Sequence, residues 1–261
     1  MVSFLSPISK FSCIASRALR PRALLPAVFF SSITTLFDDT FKESREIVKN
    51  LLKEQGFTGI LSTTSSIFNK NDLQALKVNF KPALKYGVLP CDIKDLEFDV
   101  ESLKEISDNH IKAFLIDLHE VIKNLGYYES TEEAATETLI TNLLVRVTDM
   151  HCYPLRVRTH PQCKLYISGE PYVSATPEFA VNRKNITMIV VEQDKQLKNT
   201  ALIPSKCFGE AQLVAEMLAS GSENMRQIAR QNGVISDQII FGIRAISSYF
   251  TFYETVIPAE Y

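Results

Sequence analysis

Three short segments carry acidic, amide and lysine side chains in one order along the second half of the chain. Pro177-Glu178 lies in a predicted strand over 172–181, and Glu192-Gln193-Asp194-Lys195 closes a predicted strand over 186–194. Gly209-Glu210-Ala211-Gln212 then opens a predicted helix that reaches Arg230. Carboxylate and amide oxygens are hard ligands for Mg²⁺, and a lysine can orient or polarise water. These segments therefore contain residue types that suit a divalent-cation site.

Strand alternation decides which of these side chains can cooperate, because only residues i and i+2 share a face. Lys195 then shares a face with Gln193 and Val191, whereas Glu192 and Asp194 lie on the opposite face unless a bulge shifts the register. Gln193, rather than Glu192, can therefore act together with Lys195. An amide oxygen brings no negative charge, so it would hold a cation more weakly than a carboxylate does.

In this order the segments resemble the PD-(D/E)XK nuclease superfamily, including a branch expanded in fungi. The resemblance implies a restriction-endonuclease-like α/β/α core that uses Mg²⁺ to hydrolyse phosphodiester bonds in DNA or RNA. In these terms Glu178 is the principal metal ligand, Gln193 a weak second ligand and Lys195 the water-orienting cation. Gln212 faces the site from the helix start, and Glu137 is a further acid from the first core helix.

Gln193 stands where the family has an acid, which leaves two alternatives open besides an active nuclease. The first is an inactive nuclease fold that serves as a nucleic-acid-binding or protein-interaction module. The second is a scaffold without nucleic-acid contact. Replacing Gln193 with Glu should raise cleavage if the remaining site is intact, and should leave an inert module unchanged.

The elements that must position these residues form an α/β domain over 129–261. A capping box of Ser130 and Glu133 predicts a helix to about Val147, and short strands and the 209–230 helix follow. Further strands are predicted over 238–243 and 249–253. Residues 38–128 are predicted to be a helical accessory region, with helices over 39–55 and 99–125.

Charge supports a phosphate-bearing partner only locally. The whole chain has a formal net charge of −2, but residues 154–206 contain eight Lys and Arg against four acids. Such a segment suits a nucleic-acid backbone or a solvated surface. The five cysteines are widely spread, without the spacing of a disulfide framework or a zinc site. The chain also contains no glycine-rich phosphate loop and no G-x-S-x-G or H-E-x-x-H motif.

Residues 1–37 have the composition of a targeting segment. They contain no acid, four basic residues and seven serines interleaved with apolar residues, which is typical of a mitochondrial transit peptide. A secretory signal or an untargeted tail are the alternatives. The most apolar stretch, Ala23 to Phe30, is far shorter than the roughly 20 residues that cross a bilayer, so no membrane span is predicted.

Overall fold

The structure is a computed structural model that describes residues 42–54, 56–57, 59–79, 105–124, 133–193, 208–246 and 248–260. These residues all belong to one unit that extends from Phe41 to Tyr261. The predicted transit peptide and Lys195 lie outside the described residues. Among the helices of the described part, none is long and apolar enough to cross a membrane.

The described elements are helical in the first half of the chain and mostly strands in the second half, where one long helix is inserted. The helices are α1 (42–54), α2 (Lys70–Ala75), α3 (Asn109–Asn124), α4 (Glu133–Asn142) and α5 (Phe208–Arg230). The strands are β1 (Leu155–Thr159), β2 (Cys163–Ile167), β3 (Glu170–Ala175), β4 (Phe179–Arg183), β5 (Ile186–Gln193), β6 (Gln238–Ile246) and β7 (Tyr249–Ile257). A 3₁₀ turn (Ser65–Ile67) precedes α2, and a π-helical turn (Leu143–Val147) extends α4.

Five strands form one sheet in the order β1-β4-β5-β6-β7. Neighbouring strands are antiparallel except β5 and β6, which run parallel. A parallel pair needs a crossover connection, and α5 provides the helix of that connection. The strands β2 and β3 form a separate two-stranded sheet.

The helix α5 is buried on almost all sides because it lies between two layers. On one side it packs against the large sheet through Val190 of β5 and Ile240 of β6. On the other side it packs against the β2–β3 sheet and the N-terminal region, including Leu61 and Phe68. Close approach to β6 depends on Gly242, where an added Cβ would lie 2.6 Å from the Met217 sulfur. The helix also carries buried polar residues in this core, among them Glu216, Ser220 and Asn224.

The opposite face of the large sheet packs against α4 and its π-helical extension. Ile140 and Leu144 form a second core there with Phe179, Val181 and Val191. The helix α3 covers α4, and an Asn142 amide donates to the Asp117 carboxylate between them. The sheet thus separates an α5 face from an α4 face.

Two predicted elements have wrong bounds. The strand predicted over 172–181 is two strands in different sheets, β3 and β4. Pro177 lies at the break, where a residue without an N–H donor cannot extend a hydrogen-bonded ladder. The helix predicted from Asp99 begins at Asn109 in the described residues. The Asp108 carboxylate accepts hydrogen bonds from the backbone N–H groups of His110 and Ile111, as an N-cap does.

Candidate functional site

The acidic end of β5 faces α5. Val190 lies in the core that contains α5, and Glu192 follows it two residues later on the same face. Glu178 lies just before β4, two residues from Ala180, which pairs with Val190. Its backbone donates a hydrogen bond to the Glu192 carboxylate. The strand ends therefore bring Glu178 and Glu192 together on the α5 face.

The helix α5 contributes Gln212 and Glu216, which lie one turn apart on the side that faces the sheet. The Gln212 amide nitrogen donates to Glu192 Oε1 at 2.5 Å and to Glu216 Oε1 at 3.1 Å. The two carboxyl groups also lie within hydrogen-bonding reach of each other. Gln212 therefore holds two acids side by side across the helix–sheet interface.

The N-terminal region closes the site from the other side. Ser65, which is 5% exposed, donates from its hydroxyl to Glu216 Oε1 at 3.2 Å. The 3₁₀ turn that carries Ser65 packs directly on α5. Glu216 is consequently fully buried and Glu192 is 5% exposed.

Burial and mutual repulsion make these acids hard to ionise. Desolvation, the charge of Glu216 and the charge of Glu178 raise the pKa of Glu192 to about 10. Desolvation also raises the pKa of Glu216 to about 7, although hydrogen bonds from Glu192, Gln212 and Ser65 oppose that rise. At neutral pH a proton on Glu192 can therefore be shared with Glu216.

The donor set of the site fits a divalent cation. Glu192 Oε2 and Glu216 Oε2 are buried, and neither accepts a hydrogen bond from a donor in the described residues. Carboxylate oxygens left without donors are ligands suited to Mg²⁺, whose charge would oppose the repulsion that keeps the acids protonated. Glu178 lies close enough to raise the pKa of both other acids.

The structure brings together two of the residues predicted from the sequence, Glu178 and Gln212. The structure does not place Gln193 beside them, and Gln212 contacts Glu192 instead. Gln193 is buried in alternation with Val191, on the α4 face of the sheet. Glu137 is exposed on α4, across the sheet from α5, and Lys195 lies outside the described residues.

The strand alternation separates Glu192 from Gln193 as predicted, but the acids gather on the Glu192 face. The sequence analysis assigns no role to Glu216 or Ser65. The helical spacing of Gln212 and Glu216, four residues apart, is the one signal that could have identified Glu216. Ser65 lies 151 residues before its partner, and no local pattern connects the two.

Among the described residues, the one group of three potential metal ligands whose ligand atoms all lie close together is not at these acids but on the turn after the π-helical segment. Ligand atoms of Asp149, His151 and Cys152 are all within 4.8 Å of one another. All three residues are exposed and near neighbours along the chain, so their closeness follows from the turn itself. Nothing else in the described residues marks them as a site.

Comparison with known proteins leaves the family of this chain open. No family model matches the sequence. No curated protein matches it either. One solved structure, the crystal structure of SSO0001, aligns with 58% of this chain at 12% identity and a TM-score of 0.24. The alignment covers 63% of that protein, less than two thirds of its length. A likeness this weak supports no transfer of fold or function, so the site must be interpreted from its own geometry.

Proposed function

We propose that this chain has a PD-(D/E)XK nuclease-like core and hydrolyses phosphodiester bonds of nucleic acid with the help of Mg²⁺. The observation that carries the proposal is the convergence of Glu178, Glu192 and Glu216 on one face of the sheet, with two of the three almost fully buried. Burial of several acids without a cation is costly, and such perturbed acids are typical of functional sites.

The order of the elements supports the proposed α/β/α core. A helix, an antiparallel pair of strands, a crossover helix and a parallel strand follow one another as α4, β4–β5, α5 and β6. The family places an acid after a proline on one strand and a second acid on the next. In this proposal Glu178 and Glu192, in place of Gln193, take those two positions, and β6–β7 corresponds to the hairpin that follows the helix.

In the proposed site Glu178 and Glu192 hold the cation. Gln212 orients the Glu192 carboxylate by its 2.5 Å hydrogen bond, and Ser65 holds Glu216 beside it. Bound Mg²⁺ would lower the pKa of a coordinated water and stabilise charge on a phosphoryl oxygen. Glu216 would then be a third acid beside the cation. Gln193 leaves the set of proposed ligands.

A positive charge lies beside this cluster in the described part of the sheet. Arg244 of β6 is directly opposite Glu192 in the parallel register, so both side chains leave the same face. Its guanidinium lies 3.8 Å from Glu210 Oε1, and the Tyr253 hydroxyl donates to the same oxygen at 3.0 Å. Arg244 is therefore placed to meet a phosphate near the acids, and Lys195 stays a candidate for the water-orienting cation.

A second candidate function is an inactive nuclease fold that binds nucleic acid or a protein. Two observations favour it. With Glu192 as the acid, the residue two positions later is Asp194, where the family's E-x-K pattern has a lysine. Glu192 and Glu216 can also satisfy each other by sharing a proton, as a purely structural pair would.

The test is cleavage of single- and double-stranded DNA and RNA by the full chain, with Mg²⁺ or Mn²⁺ against EDTA. We expect metal-dependent cleavage that Glu178→Gln and Glu192→Gln each reduce by 100-fold or more, on the order of a lost catalytic group. Glu137→Gln removes the same charge from an exposed position and should cleave like the wild type.

A second readout of the same variants is thermal stabilisation by Mn²⁺, which reports binding without turnover. Wild type should be stabilised, and Glu192→Gln much less. Mn²⁺ stabilisation without cleavage of any substrate would favour the inactive fold. If Mn²⁺ gives no stabilisation and no cleavage is observed, the metal site is refuted.

The mitochondrial destination is a separate proposal based on residues 1–37 alone. Comparison of the cellular location of the full chain with that of residues 38–261, both carrying a C-terminal fluorescent tag, tests it. Loss of mitochondrial import on deletion is the expected result.

A further inference from the structure

A polar cavity of about 360 Å³ lies at the other end of α5 from the carboxylates. It is bounded by edge strand β1, the β4–β5 turn, the start of β2 and the C-terminal half of α5. Its walls carry three cations and several amide side chains, namely Arg156, Arg158, Lys184, Gln162, Asn182 and Gln227.

The cations of this cavity are not neutralised by neighbouring acids. Arg156, Arg158 and Lys184 are exposed, and none forms an ion pair within the described residues. The one acid on the wall is Glu223, which accepts a hydrogen bond from the Tyr166 hydroxyl at 3.3 Å. Three cations against one engaged acid give the cavity a positive potential.

The floor of the cavity lies at a β-bulge between β4 and β5. The register between β4 and β5 shifts after Val181, and Thr187 pairs with Asn182 directly after the shift. The Asn224 side chain binds the Thr187 backbone there, because it accepts from Thr187 N and donates to Thr187 O, each at 2.8 Å. Asn182 is 4% exposed and accepts from the Thr187 hydroxyl.

We infer that this cavity binds a backbone phosphate of the nucleic acid proposed above, away from the bond that is cut. The inference rests on the proposed function and names the part of the substrate that the chain holds. Guanidinium groups bind phosphate through paired hydrogen bonds, and amide donors can complete the shell.

The position of β1 links the cavity to the carboxylate site. The backbone N–H of His160, just after β1, donates to the Glu178 carbonyl at 2.9 Å. Arg158 and Arg156 lie two and four residues before His160 and share one face of β1. With a rise of about 3.3 Å per residue, they are roughly 7 and 13 Å from that hydrogen bond. A nucleic-acid strand that lies along this open edge would therefore pass from the acids over both arginines into the cavity. A continuous polymer of phosphates fits this row better than a single small anion does.

The test compares the double variant Arg156→Ala/Arg158→Ala with the double variant Arg183→Ala/Arg146→Ala. Both lose two exposed positive charges, but Arg183 alternates to the α4 face of β4 and Arg146 lies on the π-helical turn of that same face. Each full chain is titrated with fluorescent single-stranded DNA and RNA in EDTA over a range of salt concentrations. Working in EDTA keeps the result independent of the metal site.

We expect the cavity variant to bind the oligonucleotides at least about tenfold more weakly at low salt. The slope of log K against log salt should fall by about 1.4, since each lost phosphate contact on a single strand removes about 0.7. The control variant should change little. Stabilisation by inorganic phosphate, measured by thermal unfolding, should also fall in the cavity variant alone, because general salt effects act equally on both.

Equal losses in both variants would overturn the inference, since a diffuse positive field would then explain binding. Loss of the phosphate effect without loss of oligonucleotide binding would also overturn it, because the cavity would then serve another anion. Unchanged behaviour in both assays would do the same. A cavity effect on binding with no metal-dependent cleavage would support the inference while the proposed catalysis fails.

Discussion

Replacement of Glu192 with Gln should make the metal-free protein more stable, because the amide mimics the protonated acid. The Gln oxygen can accept from Gln212 as Glu192 Oε1 does, and the Gln amide can donate to Glu216. No proton has to be taken up when the variant folds. The wild-type acid, by contrast, is ionised when unfolded at pH 7 and protonated when folded.

The size of the effect follows from the pKa of Glu192. Its pKa rises from 4.5 in the unfolded chain to about 10 in the folded protein. Folding at pH 7 therefore requires protonation of an acid about 2.5 pH units above its unfolded pKa. At about 1.36 kcal/mol per unit, the variant should gain about 3 kcal/mol in unfolding free energy. The folded state binds more protons than the unfolded state, so the wild type loses stability as pH rises above 4.5. The advantage of the variant should therefore grow by up to about 1.4 kcal/mol per pH unit.

The assay is urea unfolding of the full chain at pH 5, 6, 7 and 8, with and without Mg²⁺. Glu137→Gln is the matched control, since its exposed position should keep the change within about 0.5 kcal/mol at every pH. If Glu192→Gln is no more stable than the wild type at pH 7, and the difference does not vary with pH, the acid is not buried against Glu216. Mg²⁺ should stabilise the wild type and so narrow the gap.

Three further outcomes follow from the geometry. Gln212→Ala removes the donor shared by the two buried carboxyl groups and should cost about 1–3 kcal/mol in urea unfolding, whereas an unchanged midpoint would show that water replaces the amide. Gln193→Glu should not raise cleavage, because the new acid would lie on the α4 face, and it should lower the free energy of unfolding by about 2 kcal/mol or more. A gain in cleavage would instead support the sequence-based assignment of residue 193 to the site. Asn224→Ala leaves the buried N–H and C=O of Thr187 without partners and should cost about 3 kcal/mol, measured by the same unfolding, and a loss below about 1 kcal/mol would mean that the bulge relaxes.

Local pattern was enough to predict the elements that form the core. Apolar spacing at helical period predicted α5, and short apolar runs predicted β5, β6 and β7, so the mixed α/β class follows from the sequence. The order of Glu178, the end of β5 and Gln212 likewise identified where acids and amides gather. These properties depend on neighbours a few residues away, which is why they can be read from the sequence.

Only the tertiary structure decides toward which face of the sheet each side chain at the end of β5 points. Val190, Val191, Glu192 and Gln193 are all buried, because a central strand is covered on both sides. Such a strand has no polar–apolar alternation to show which side the site occupies. Packing of Val190 against α5 settles that choice and sends Glu192 to Gln212. The contact between Ser65 and Glu216 spans 151 residues and likewise exists only because α5 is enclosed by two layers.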